Sequence, residues 1–175
     1  MKNIILLGGK AGSGKDFVGK ILVGDYGYKR LGLADYLKDI VASNYNIPRE
    51  ELDTQEGKAK MFKNGQSYRD LLIQASYFHK FKNINVFTDF IIRDMKADPS
   101  KNYVITDFRF PHEHEKINSE LSKFFKVITI NVQRESSIVI DDDSERALDD
   151  FVFDFTLDNN FDAEHIKKEI DHLFL

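Results

Sequence analysis

The segment Gly9-Lys10-Ala11-Gly12-Ser13-Gly14-Lys15-Asp16 constrains this chain more than any other. It matches G-x-x-x-x-G-K and stands between the apolar run Ile4 to Leu7 and a stretch with Phe17, Val18, Ile21 and Leu22 at helical spacing. Glycines at a strand-to-helix turn let successive backbone N–H groups converge on one phosphate, and the helix adds the positive end of its dipole. Lys15 then reaches the β- and γ-phosphates of a nucleotide and neutralises charge as a phosphoryl group moves. The Ser or Thr usual after that lysine is replaced by Asp16. A carboxylate there holds magnesium directly or through water, and it suits a helix N-terminus. Residues Gly9, Lys10, Ala11, Gly12, Ser13, Gly14 and Lys15 are therefore expected to hold ATP, with Asp16 toward Mg2+. The competing reading is a glycine-rich turn with no ligand.

At 175 residues, 42% hydrophobic and 31% charged, the chain is expected to form a single domain, 1–175. It contains no cysteine, which excludes disulfides and thiolate metal sites. A net charge of −4 disfavours a broad nucleic-acid surface but not small anions, which a few local cations and amides can hold. No apolar run approaches membrane length, so neither a membrane nor a nucleic-acid partner is expected, and the expected location is cytoplasmic.

Strand and helix patterns alternate along the chain. Strands are expected at Asn3 to Leu7, Tyr28 to Leu33, Tyr103 to Thr106, Val127 to Val132 and Phe151 to Leu157. Helices are expected at Lys15 to Asp25, Ala34 to Tyr45, Ser67 to Phe81, Val86 to Lys96, Pro111 to Leu121 and Asp162 to Leu173. Such alternation implies an α/β fold, a parallel sheet with helices on both faces, and ligands at the carboxyl ends of its strands.

Three further clusters fit that placement. The strand Tyr103-Val104-Ile105-Thr106 ends in Asp107, as a magnesium-side carboxylate would be presented, and Arg109 follows with a planar fork suited to phosphate. Alternatively, Asp107 caps the next helix and Arg109 pairs with Glu113. His112 and His114 do not share a helix face, so no metal site is assigned there. The polar stretch 134–150 reads as a lid, with Arg134 and Arg146 supplying cations to the transferring group; a solvated loop is the alternative, preferred for Asp141 to Asp143. Between residues 34 and 97 lies a helical region with Lys38, Lys58, Lys60, Lys63, Arg69 and Gln74, expected to receive the acceptor, with Arg69 the leading residue.

These residues together resemble the deoxynucleoside monophosphate kinase family of P-loop kinases. The resemblance runs in scattered motifs over nearly the whole chain: Gly9 to Asp16, Leu33-Ala34-Asp35-Tyr36-Leu37-Lys38, Arg69 to Gln74, Asp107-Phe108-Arg109-Phe110-Pro111-His112-Glu113, Asp142 to Glu145 with Leu148, and Leu157-Asp158-Asn159. It implies a three-layer fold with a five-stranded parallel sheet and a lid. The implied activity is transfer of the ATP γ-phosphoryl group to a deoxynucleoside monophosphate, with Lys15, Asp107, Arg134 and Arg146 catalytic and Asp16 and Asp107 on magnesium. Lys38, Arg69, Gln74 and Arg109 would then hold the acceptor, and Asn159 would lie near the ATP base. Monomer and homodimer both remain open. The family often has a His where Asp142 stands and a Trp near Phe87 or Phe90, so lid chemistry and acceptor choice depart from its pattern. Animal-type phosphomevalonate kinases are a second resemblance, through Gly14 to Val18 and the acidic stretch Asp141 to Asp150. A nucleotide-binding regulatory or hydrolysing module is the remaining alternative.

Overall fold

The computed structural model describes residues 1–135 and 146–174. Five strands form one all-parallel sheet: β1 (Lys2–Gly8), β2 (Lys29–Leu31), β3 (Tyr103–Ile105), β4 (Phe125–Gln133) and β5 (Phe155–Asp158), in the order β2-β3-β1-β4-β5. The helices are α1 (Lys15–Tyr26), α2 (Leu33–Tyr45), α3 (Gln55–Ala59), α4 (Tyr68–Lys82), α5 (Val86–Ala97), α6 (Pro111–Leu121) and α7 (Ala163–Phe174), with a 3-10 turn at Arg49–Leu52. This is the expected α/β class, a five-stranded parallel sheet between helical layers. No helix among the described residues is long and apolar enough to cross a membrane.

Two compact units make up the chain: Met1–Gly32 with Ile91–Leu175, and Leu33–Phe90. In the first, the central strand β1 is almost wholly apolar, because a strand covered on both faces has no polar side. Its Ile5 and Leu7 join Val104, Ile128 and Ile130 against Val18, Ile21 and Leu22 of α1 and Ile166 and Ile170 of α7. The alternate residues Ile4, Leu6 and Ile105 are equally buried and face the other layer, where α6 meets β4 and buries Ile117 and Leu121. The second unit has its own core of Val41, Ile47, Leu52, Leu71 and Leu72 from α2, the 3-10 turn and α4. Ser67 and Asp70 start α4 as a reciprocal cap, each accepting from the other's backbone N–H.

The last strand is shorter than its pattern suggests. Pairing with β4 begins only at Phe155, because the Asp154 carboxylate accepts from the Thr129 N–H and hydroxyl at 2.8 Å each and replaces a ladder bond. Phe151 and Phe153, expected in that strand, instead pack edge-on against each other and against Phe108. At the start of α6, Phe110 and not Asp107 holds the capping position, while Glu113 does meet Arg109, through the Arg109 backbone N–H. Pro111 opens the helix, and the buried carboxylate of Glu113, three positions past Phe110, accepts from the N–H groups of Arg109 and Phe110 at 2.9 and 3.0 Å.

Candidate active site

The loop after β1 closes around glycines that no other residue replaces cheaply. Gly9, Gly12 and Gly14 have φ of 134°, 76° and 91°. A Cβ on Gly9 would lie 2.2 Å from the Val132 carbonyl oxygen, and one on Gly14 would lie 2.0 Å from Asn159 Nδ2. The loop is thus wedged between β4 and the turn after β5. Within it, the Ser13 N–H donates to the Lys10 carbonyl, and Ser13 is buried. Lys15 Nζ donates to the carbonyls of Gly9 and Lys10 at 2.6 and 2.8 Å, which curls its ammonium over the loop. Asp16 is exposed in the first turn of α1, and Gly14 precedes that helix without a side-chain cap. The amide groups at the N-terminus of α1 therefore find no partner in the capping residue's side chain.

The neighbouring strands deliver other expected residues to the same edge of the sheet. Ile105 pairs with Leu6, so Asp107 leaves β3 two residues past that point, just as Gly8 ends β1 two residues past Leu6. Asn131 pairs with Gly8, and Arg134 follows the end of β4. A cavity of ≈ 630 Å³ opens there, within the size range of small-molecule sites. Gly9, Lys10, Ser13, Arg109 and Arg134 line it, as do Leu148 and Asp149 from the stretch 146–150. Lys10 forms an ion pair with Asp149.

Of the other expected residues in this unit, Ala11 is half-buried, and Gly12 and Arg146 are exposed. Most of the lid reading, 136–145 with Asp141 to Asp143, Ser144 and Glu145, lies outside the described residues. Asn159, expected beside a base, is buried, and its Nδ2 donates to the Ser13 carbonyl at 2.8 Å while its N–H donates to the Gln133 carbonyl. Its side chain thus ties the turn after β5 to the phosphate loop. Asn131, Gln133, Asp158 and Asn160 also line the cavity. Asn160 bridges, donating from Nδ2 to Asp158 and accepting from the Glu135 N–H. The motif Leu157-Asp158-Asn159 hinted at this turn; nothing local marked Asn131, one polar residue inside a strand.

In the second unit, the expected acceptor residues fall into two groups. Lys38 pairs with Asp53 at 2.8 Å and with Asp35 at 3.7 Å, and Arg49 bridges Asp35, Asp39 and Asp53. Burial opposes charge on Asp53, yet hydrogen bonds from Arg49 and Lys38 outweigh it and pull its carboxyl down to about 2. Lys58 is pushed below the usual lysine range by burial and then by the nearby charges of Lys38 and Arg69. Lys38, Lys58 and Arg69 therefore form one positive cluster. Arg69 is exposed and donates to Gln55 at 2.5 Å. Gln74 is exposed on α4, five positions past Arg69 and on another side of the helix.

Magnesium fits the donor set of the first unit, since it takes one or two carboxylates plus substrate phosphates and not a closed protein cage. Asp16, exposed in the first turn of α1, and Asp107, two residues past the end of β3, are the carboxylates expected there, and neither is among the residues that line the cavity.

No family model matches the chain, and no curated protein matches it. Solved structures do. The dephospho-CoA kinase of Campylobacter jejuni superposes with a TM-score of 0.56 at 15% identity, over 99% of this chain and 96% of that one. The Thermus thermophilus protein TT1252 superposes with a TM-score of 0.52 at 17% identity, over 99% and 96%. At these identities the likeness concerns the fold. With a five-stranded parallel sheet and a glycine-rich turn from β1 into α1, the chain has the P-loop kinase fold.

Proposed function

We infer that the chain is an ATP-dependent kinase that transfers the γ-phosphoryl group to a deoxynucleoside monophosphate. The observation that carries this reading is the loop itself. Three positive-φ glycines, a helix N-terminus without a side-chain cap and a lysine ammonium folded over the loop are what a receptor for a polyphosphate needs. Lys15 now rests on two backbone carbonyls, and phosphate oxygens are stronger partners for it.

In this reading the amides of 10–15 and Lys15 hold the β- and γ-phosphates of ATP. Magnesium at Asp16 and Asp107 neutralises phosphate charge when bound. Arg69 and Lys38 hold the acceptor phosphate, Arg109 faces the cavity beside the loop, and Arg134 and Arg146 supply further cations. An oxygen of the acceptor phosphate bonds to the γ-phosphorus as the bond to the β,γ-bridging oxygen breaks, and ADP leaves. Positioning and charge neutralisation carry this chemistry, so no side chain need bond covalently to the phosphoryl group. The acceptor assignment is supported by the Arg69-to-Gln74 and Asp107-to-Glu113 motifs and by the Lys38, Lys58 and Arg69 cluster.

The test is turnover of Mg-ATP with dAMP, dGMP, dCMP, dTMP, dUMP and phosphomevalonate in parallel. A deoxynucleoside diphosphate product supports the reading. Turnover of phosphomevalonate alone makes the chain a metabolite kinase, and ATP loss without a phosphorylated acceptor makes it a hydrolase. Lys15→Ala should lower kcat by on the order of 10²-fold or more while leaving the fold intact.

A further inference from the structure

Most cations around the 3-10 turn of the Leu33–Phe90 unit are neutralised by carboxylates. Lys38 and Arg49 share Asp35 and Asp53, and Lys60 pairs with Glu51 at 2.8 Å. Lys58 and Arg69 differ: among the described residues neither enters an ion pair, and Arg69 donates to the neutral amide oxygen of Gln55. Gln55 and Lys58 stand three apart on α3 and share a face, so the guanidinium lies toward the side of α3 that carries the Lys58 ammonium. Lys58 is half-buried. Burial, and then the charges of Lys38 and Arg69, push it below the ordinary lysine range; Asp53 pulls the other way and does not offset them.

The short helix is fixed in place. Thr54 caps it, its hydroxyl accepting from the Gly57 N–H at 3.0 Å. Gly57 lies so close to the 3-10 turn that a Cβ there would meet the Glu51 carbonyl oxygen at 2.1 Å. Like charges held side by side repel, and an anion between them removes the repulsion.

We propose that Lys58 binds the acceptor directly, its ammonium and the Arg69 guanidinium together taking the two charges of a phosphate monoester dianion. This deepens the acceptor reading above and rests on it. The guanidinium offers a planar fork to two phosphate oxygens, and the ammonium offers a point charge to a third. A phosphate oxygen is a stronger acceptor than the Gln55 amide, so Arg69 exchanges one for the other. Lys38 contributes less, because Asp53, which Arg49 also holds, already engages its ammonium. The pair therefore reads charge: a deoxynucleoside without its phosphate leaves both cations unneutralised.

Trace acetylation read by mass spectrometry tests the site without turnover. Inorganic phosphate or dTMP should slow acetylation of Lys58 and leave that of the exposed Lys63 unchanged. Sodium chloride at equal ionic strength should protect neither. In kinetics, Lys58→Gln should raise the acceptor KM roughly tenfold or more, leave the KM for ATP unchanged and keep a cooperative melt. Lys58→Arg should recover most of the loss, and Lys38→Gln should raise the acceptor KM less than Lys58→Gln does. Protection of Lys58 with no phosphorylated acceptor keeps the phosphate site and removes the kinase reading. Turnover of a nucleotide with no protection, and with an unchanged acceptor KM in Lys58→Gln, keeps the kinase reading and overturns the proposal. A larger KM effect from Lys38→Gln than from Lys58→Gln overturns it as well.

Discussion

Asn159 Nδ2 reaches across 146 positions of sequence to the Ser13 carbonyl, inside the space a side chain on Gly14 would occupy. The amide spans the gap that the glycine leaves, so the two residues act as a pair. Asn159→Ala removes a buried hydrogen bond and leaves the carbonyl unsatisfied, which should cost about 1–3 kcal/mol of stability in thermal or denaturant unfolding. It should also weaken ATP binding by calorimetry, because the loop loses its tie to the β5 turn. Full ATP affinity in that variant would remove the tie from the account. Arg69 differs, since it is exposed and its guanidinium donates to the Gln55 side chain at the surface. Arg69→Ala should raise the KM for the acceptor several-fold and leave the KM for ATP unchanged; equal rises in both would count against its role.

Single elements depend on residues at their ends. The first turn of α6 rests on Glu113, whose carboxylate collects two backbone N–H groups, one of them from Arg109. Glu113→Ala should fray that turn and let Arg109 wander from the cavity wall. The expected loss is about 1 kcal/mol of stability, the usual cost of a lost cap, with a larger fall in kcat/KM. Glu113→Gln keeps one acceptor oxygen and should recover most of both. Paired stability and kinetic measurements on the two variants separate this positioning role from a purely structural one. The start of β5 shows the same logic, where Asp154 delays strand pairing by supplying its own carboxylate to Thr129 in the middle of β4. The expected strand at Phe151 failed for that reason: alternation of apolar residues does not report that a neighbouring side chain will capture the ladder's donor.

At the scale of the whole molecule, an acidic chain with net charge −4 keeps a cluster of cations, Lys38, Arg49, Lys58 and Arg69, interleaved with carboxylates in Leu33–Phe90. Asp53 ties that cluster together and carries a pH signature. Its ordinary value of 3.8 falls to about 2 in the folded chain. A carboxyl depressed by folding contributes stability that is complete above its unfolded value and is lost as pH falls through the folded one. Asp53→Asn should therefore lower Tm at neutral pH, and the gap from the unaltered chain should close between pH 4 and pH 2. A constant gap across that range would show that the Asp53 charge does not matter.

The sequence by itself determined the phosphate loop, the alternation of strands and helices, and hence the parallel α/β class. These are local matters: glycine spacing and hydrophobic period are written in consecutive residues, and backbone sterics act over the same range. Helix limits from Lys15, Val86 and Pro111 were legible for that reason. Only the tertiary structure decided the strand order β2-β3-β1-β4-β5, the clasp of Asn159 on Ser13, the wall made by Asn131 and Asn160, and the meeting of Lys58 with Lys38 and Arg69. Each of these joins residues far apart in the chain, and what brings them together is burial of a shared apolar core, which no local pattern of residues records.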